Sequence, residues 1–256
     1  MKFLAPSLLL LGIVLCIPSL RAEKLTVAAA SNLTYTLAAL NAAYTKANPA
    51  DEVVTVTGAS GNLFAQITNG APIDVFLSAD TDYPKKLADA GAADAATLTT
   101  FATGRLALWT TKSDLDVTDI TAALADPRVK HIAIANPRTA PYGRAARQAL
   151  VSLGLWQTNS DKLVTGENIT QTAQFVETGN AEIGFVALSL LLSPEHKTKG
   201  SYHEIDAKLH DPLDQGAVIT KHGTANPAAK RYLAFLKSKT SQDILKSFGY
   251  DVPPAP

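Results

Sequence analysis

Short apolar strands that run straight into small-residue turns and then into helices recur along this chain, and they do so in two blocks. In the first block the strand segments are residues 24–29, 52–57 and 72–77, and the helices that follow are 33–47, 63–68 and 81–90. Leu25, Val27 and Ala29 alternate with Lys24, Thr26 and Ala28, the period of a strand. In the second block the strands are 131–134, 164–167 and 183–186, and the helices are 142–153, 171–178 and 187–192. Strands separated by helices pair in parallel through right-handed crossovers, which puts the strand ends and their turns along one edge of a sheet. The pattern therefore predicts an α/β chain of two lobes, each a mostly parallel sheet flanked by helices. Residues 101–111 and 216–220 are extended, apolar and placed between the blocks, so they are the expected crossing strands. The lobes then comprise 23–104 with 217–256, and 105–216. Lesser expectations are short helices at 116–125 and 156–163, an edge strand at 203–205, closing helices at 228–237 and 241–248, and a loose tail at 251–256.

Residues 1–22 stand apart. Lys2 gives a charged start, 4–15 an apolar core, and Ala22 a small residue at the end. That is the pattern of an exported signal peptide cleaved near Ala22, because the apolar run falls short of the roughly 20 residues a membrane span needs. Its removal takes away Cys16, the only cysteine, so the mature chain cannot form a disulfide. It also removes Lys2 and Arg21, leaving 21 basic against 23 acidic side chains, a formal charge of −2. Such a chain has no broad positive field for nucleic acid or anionic membrane, and none is expected as a partner. Any anion it holds must be held by local dipoles.

The turns supply those dipoles. Ser31 and Asn32 follow the first strand and read as helix-capping residues. A strand-to-helix turn presents unpaired N–H groups at the positive end of a helix, a ready anion site. Further turns of the same kind lie at 58–62, 78–80, 135–143 and 166–170. Small hydroxyls and helix N-termini offer donors at fixed angles around a tetrahedral dianion, without a competing carboxylate.

Six stretches make a resemblance: AAASNLT at 28–34, GASGNLFAQI at 58–67, GAPIDVFLSAD at 70–80, ANPRTAPYG at 135–143, GENITQT at 166–172 and AEIGFVALS at 181–189. In content and order they resemble the periplasmic molybdate-binding proteins, over nearly all of the mature chain. The resemblance implies the two-lobed periplasmic-binding-protein fold, closing on molybdate or tungstate and delivering it to the membrane permease of an ATP-driven importer. It implies a periplasmic location, action as a monomer, no resident cofactor, and molybdenum present only as the bound oxyanion. It implies ligand contacts from Ser31 with Asn32 beside it, from Ser60, and from the backbone N–H groups of Tyr142 and Ile169. Some relatives add a tyrosine after the strand IGFV. Here that position is Ala187, which leaves the Tyr142 hydroxyl as a substitute from the other wall.

Other readings compete. The same fold accommodates sulfate, thiosulfate or phosphate. A serine hydrolase would want Gly-x-Ser-x-Gly; the chain offers Ala29-Ala30-Ser31-Asn32-Leu33 and the near miss Gly58-Ala59-Ser60-Gly61, so no enzyme is expected. His196, His203 and His210 fit no ligand spacing and read as solvated surface, and Asp80 reads as a helix cap.

Overall fold

The computed structural model describes residues 23–253, and the expected signal peptide lies outside them. The first block folds as β1 (Glu23–Ala30), α1 (Thr34–Ala47), β2 (Asp51–Gly58), α2 (Ser60–Thr68), β3 (Val75–Ser78) and α3 (Asp82–Asp89). β4 (Thr99–Gly104) and β5 (Leu106–Thr110) then carry the chain across, with only Arg105 between them, and α4 (Ile120–Ala125) follows. The second block is β6 (Ile132–Ala135), α5 (Pro141–Ser152), β7 (Leu163–Gly166), α6 (Ile169–Glu177), β8 (Ile183–Ala187) and α7 (Leu188–Leu191). β9 (Ser201–Glu204) and β10 (Leu213–Ile219) return the chain, and α8 (Pro227–Leu236) and α9 (Lys239–Ser247) end it.

Two five-stranded sheets result, ordered β2-β1-β3-β10-β4 and β7-β6-β8-β5-β9. In each, four strands point one way and one opposes them; the odd strand is β10 in the first sheet and β5 in the second. These are the two strands that arrive from the other sheet, so their reversed direction follows from entering at the opposite end. β3, β6 and β8 are buried on both faces, which explains why they read as apolar runs, whereas β1 alternates as far as Thr26 and is buried throughout from Val27 to Ala30. The return to the first sheet comes at Leu213, not at residue 217 as expected. Leu213 and Asp214 already pair with Gly104 and Thr103, and a bulge after Gln215 carries the pairing on along β4.

Register aligns the functional edge. Ala30 pairs with Gly58, Ala29 with Leu77, and Ala135 with Gly166, so the turns after these strands lie side by side. Leu37, Leu40 and Tyr44 form the buried stripe of α1, at helical spacing, and Leu33 just before the helix is buried with them. α8 and α9 return to pack on β1, β10 and α1 of the first lobe. Ala30, Ala59 and Ala79 of the first lobe join the apolar cluster of the second, so the lobes meet closely. No helix among the described residues is long and apolar enough to cross a membrane.

Three sequence expectations need correction. The helix at 156–163 is a run of turns with a 3₁₀ segment at Ser160–Lys162. Side chains of Thr158, Asn159 and Ser160 bond to the carbonyls of Leu155 and Gln157 and compete with the helix ladder. α4 begins at Ile120 rather than 116 because Asp119 caps it, accepting from Ala122 N–H. The tail is tied down at its start: Asp251 pairs with Thr103 through two backbone bonds, and its carboxylate receives Arg105.

Asp51 opens β2 in a buried cluster. It accepts from Tyr44 OH at 2.5 Å and from Arg231 Nη2 and Nε at 2.7 and 3.1 Å. Burial pushes its carboxyl up, but Arg231 and Tyr44 outweigh that and hold it below the usual carboxylate value. A depressed carboxyl contributes stability that is complete above its unfolded pKa of about 3.9 and lost as pH falls through the lower folded value. The melting temperature of the wild-type chain is therefore expected to fall more steeply below pH 4 than that of Asp51→Asn, by scanning calorimetry. Parallel profiles would remove Asp51 from the acid transition.

Candidate functional site

Each strand end turns differently, and the differences leave donors free. After β1 the chain tightens into a 3₁₀ turn, Ser31–Leu33, before α1 begins. Neither Ser31 nor Asn32 caps a helix with its side chain, contrary to expectation, because both lie inside the turn. At α2, Ser60 is the first helical residue. Its Oγ accepts from Ala79 N–H at 3.0 Å, so its own proton is left to donate elsewhere. α5 opens with Ala140 as an uncapped N-terminal residue and Pro141 in the first turn. Gly143 lets that helix start flush against β6: a Cβ there would come within 2.2 Å of Ala135 O. At α6 the Asn168 Oδ1 accepts from the N–H groups of Thr170 and Gln171. The first N–H of that helix, on Ile169, is the one the cap leaves over.

These turns meet. Ser31, Asn32, Ser60, Tyr142 and Ile169 line one cavity, with Gly58, Pro141 and the alanines Ala30, Ala59, Ala79 and Ala140 completing its wall. It holds about 190 Å³ of atom-free space, part of it open to solvent. Even counted with that open solvent, it falls well below the space an organic ligand occupies. The lining contains no lysine, arginine, histidine or carboxylate. Its wall comes from both lobes, which are bridged beside it: Gly61 N–H donates to Thr139 O at 2.8 Å, and Thr170 Oγ1 donates to Ser31 O at 2.9 Å.

Behind the cavity is a buried polar network that sequence reading missed. Asn32 Nδ2 donates to Gln215 Oε1 and to Tyr250 OH, both at 2.8 Å. Asn32 O accepts from Ser189 Oγ at 2.8 Å and from Tyr250 OH at 3.2 Å. Gln215 Nε2 in turn donates to Leu213 O. Both amide protons of Asn32 are thus committed to Gln215 and Tyr250, away from its role as an expected contact. The Tyr142 phenol also points there: a Cβ on Gly104 would meet its hydroxyl at 2.0 Å. Burial first, then Tyr250 beside it, holds that phenol well above its ordinary pKa, so it stays a donor. Its oxygen and Asn32 Oδ1 are both buried and lack a hydrogen-bond partner. Ala187 ends β8, paired with Leu106, and is not part of the cavity wall. Gln215 and Tyr250 lie 183 and 218 residues from Asn32, and no local pattern marks them.

The histidines do not converge, and no group of three or more metal-type ligands occurs among the described residues. His196 is not surface, as expected from sequence, but buried against Trp109 and Tyr35. Its Nδ1 lies 3.2 Å from Ser193 Oγ and its Nε2 3.5 Å from Glu177 Oε2. Ser193 is fully buried.

Replacing Tyr250 by phenylalanine removes one partner from Asn32 Nδ2 and one from Asn32 O. The expected cost is about 1–3 kcal/mol of unfolding free energy, read by urea denaturation. A change within about 0.5 kcal/mol would mean that the network relaxes around the loss.

The chain is similar to known proteins. Residues 25–251 match the family described as bacterial extracellular solute-binding protein. The molybdate-binding protein ModA of Azotobacter vinelandii is 41% identical over 239 residues, covering 93% of each chain. ModA of Rhodobacter capsulatus is 39% identical over 236 residues, covering 92% of this chain and 91% of that one. The solved structure of the Azotobacter vinelandii periplasmic molybdate-binding protein superposes with a TM-score of 0.85 at 36% identity, covering 90% of this chain and 99% of that chain.

Proposed function

Because the chain belongs to the family of bacterial extracellular solute-binding proteins, we propose that it captures molybdate, and tungstate as its near-isostere, in the periplasm. It then delivers the oxyanion to the membrane permease of an ABC importer. The ligand is cargo, not cofactor, and no catalytic step is assigned to the chain.

One observation supports the oxyanion class: a small cavity built from both lobes whose polar lining is neutral, without a charged side chain. A tetrahedral dianion needs donors on every side. In this reading Ser31 and Ser60 donate hydroxyl protons from one lobe, and the N–H groups of Tyr142 and Ile169 donate from the other. Asn32 contributes through its backbone in the same turn as Ser31. Partial charges at several helix starts replace a formal positive charge. Neutral donors also make the cavity selective by size, since a dianion too small for it leaves some donors unpaired, at about 1–3 kcal/mol each. Ala187 takes no part, and the Tyr142 phenol lies toward Gly104. An anion that bridges both walls binds the closed form better and shifts the population toward it.

A thermal-shift panel of molybdate, tungstate, sulfate, thiosulfate and phosphate tests the reading. At a thousandfold excess over its dissociation constant the cognate anion adds about 4 kcal/mol of stability. Molybdate and tungstate are expected to raise the melting temperature strongly, and sulfate and phosphate little. Ser31→Ala and Ser60→Ala should each weaken molybdate binding about tenfold or more by calorimetric titration. A shift confined to sulfate or phosphate would assign a different anion. Unchanged affinity in both serine variants would move the binding site elsewhere.

A further inference from the structure

One charged pair spans the two lobes at the rim of the cavity. Asp80 closes the turn after β3. Its Oδ1 accepts from Tyr83 N–H at 3.1 Å and from Ser78 Oγ at 2.9 Å, the capping work its sequence position suggests. Its other oxygen does something the sequence does not announce: Oδ2 lies 2.5 Å from Arg144 Nη2, on α5 of the opposite lobe. The same guanidinium stands 5.8 Å from the centre of the Tyr83 ring, and Tyr83 OH donates to Arg138 O at 3.3 Å. Two side chains of the first lobe thereby clasp one segment of the second.

Arg144 does not line the anion cavity, although it follows Tyr142 by only two residues. It lines a neighbouring hollow together with Asp80, Asp211 and Asp214. Its charge is therefore turned toward carboxylates and away from the neutral donor set. Asp80, only 8% exposed, stands one residue from Ala79, whose N–H fixes Ser60 Oγ. A bare carboxylate so near a bound dianion would repel it. Paired with Arg144 it does not, and the pairing exists only while the lobes are together.

We propose that Arg144 is a positioning residue for anion capture. Acting through Asp80, it holds the lobes shut and fixes the Ala79–Ser60 pair, without touching the anion. This rests on the oxyanion reading given above. The clasp belongs to the closed form alone, so its loss speeds release more than it slows entry. It does not read the identity of the anion, so molybdate and tungstate lose affinity by the same factor.

Asp80→Asn keeps the capping oxygen and removes the charge, while Arg144→Gln removes the other partner. Each is expected to raise the molybdate dissociation rate about tenfold in stopped-flow measurements, with a matching loss for tungstate. The double variant should lose no more than either single one, and Arg144→Lys should recover most of the loss. Wild-type dissociation rates in both single variants, additive losses in the double variant, or unequal losses for the two anions would overturn the proposal while leaving the oxyanion reading intact. Failure of the wild-type chain to bind either anion would end both.

Discussion

A dianion can be held without a cation only if many weak donors meet at one point, and that requirement governs the architecture. Each donor is a hydroxyl or an N–H at a strand-to-helix turn, so the turns must be neighbours. Parallel pairing makes them so: the register that sets Ala30 beside Gly58 and Ala29 beside Leu77 stacks three turns at the edge of one sheet. The register of Ala135 with Gly166 does the same in the other. Glycine and alanine dominate the cavity wall because backbone N–H groups reach a ligand only where side chains do not intervene. Gly143 shows the limit, since a single methyl there would meet a carbonyl oxygen of β6.

Bringing the turns of two lobes together raises a second problem. Polar groups at the junction lose water when the lobes meet, and each must find a partner. Asn32, Ser189, Gln215 and Tyr250 solve most of this among themselves, drawing on four separate elements of the chain. Asn32 Oδ1 and the Tyr142 hydroxyl remain unpartnered, an acceptor and a donor in one buried region behind the anion cavity. Asn32 and Tyr142 thus line the cavity while their side chains reach the buried junction behind it.

Much of the fold was legible because it rests on local periodicity. The six strand–turn–helix units, the two sheets and the crossing segments all follow from patterns within about fifteen residues. Boundaries failed where side chains compete with the backbone, as at Thr158 to Ser160, or where a partner strand extends the pairing, as at Leu213. The five expected contact residues were read from turn chemistry and family resemblance, and the structure brings all five to one cavity wall. The direction of their side chains was not legible: Asn32 and Tyr142 turn toward Gln215, Tyr250 and Gly104, which lie far away in sequence. Burial of His196 against Trp109 and Tyr35 and the cross-lobe use of Asp80 escaped for the same reason, since both depend on residues distant in sequence.

The most direct measurement is crystallographic: the anomalous signal of molybdenum or tungsten in crystals of the mature chain grown with the oxyanion. If neutral donors cage the dianion, a single peak lies between the 3₁₀ turn at Ser31 and the start of α5. Its oxygens are then within hydrogen-bonding distance of the Ser31 and Ser60 hydroxyls and of the Tyr142 and Ile169 N–H groups. A peak held instead by the Arg144 guanidinium, or by any lysine of the surface, would contradict it.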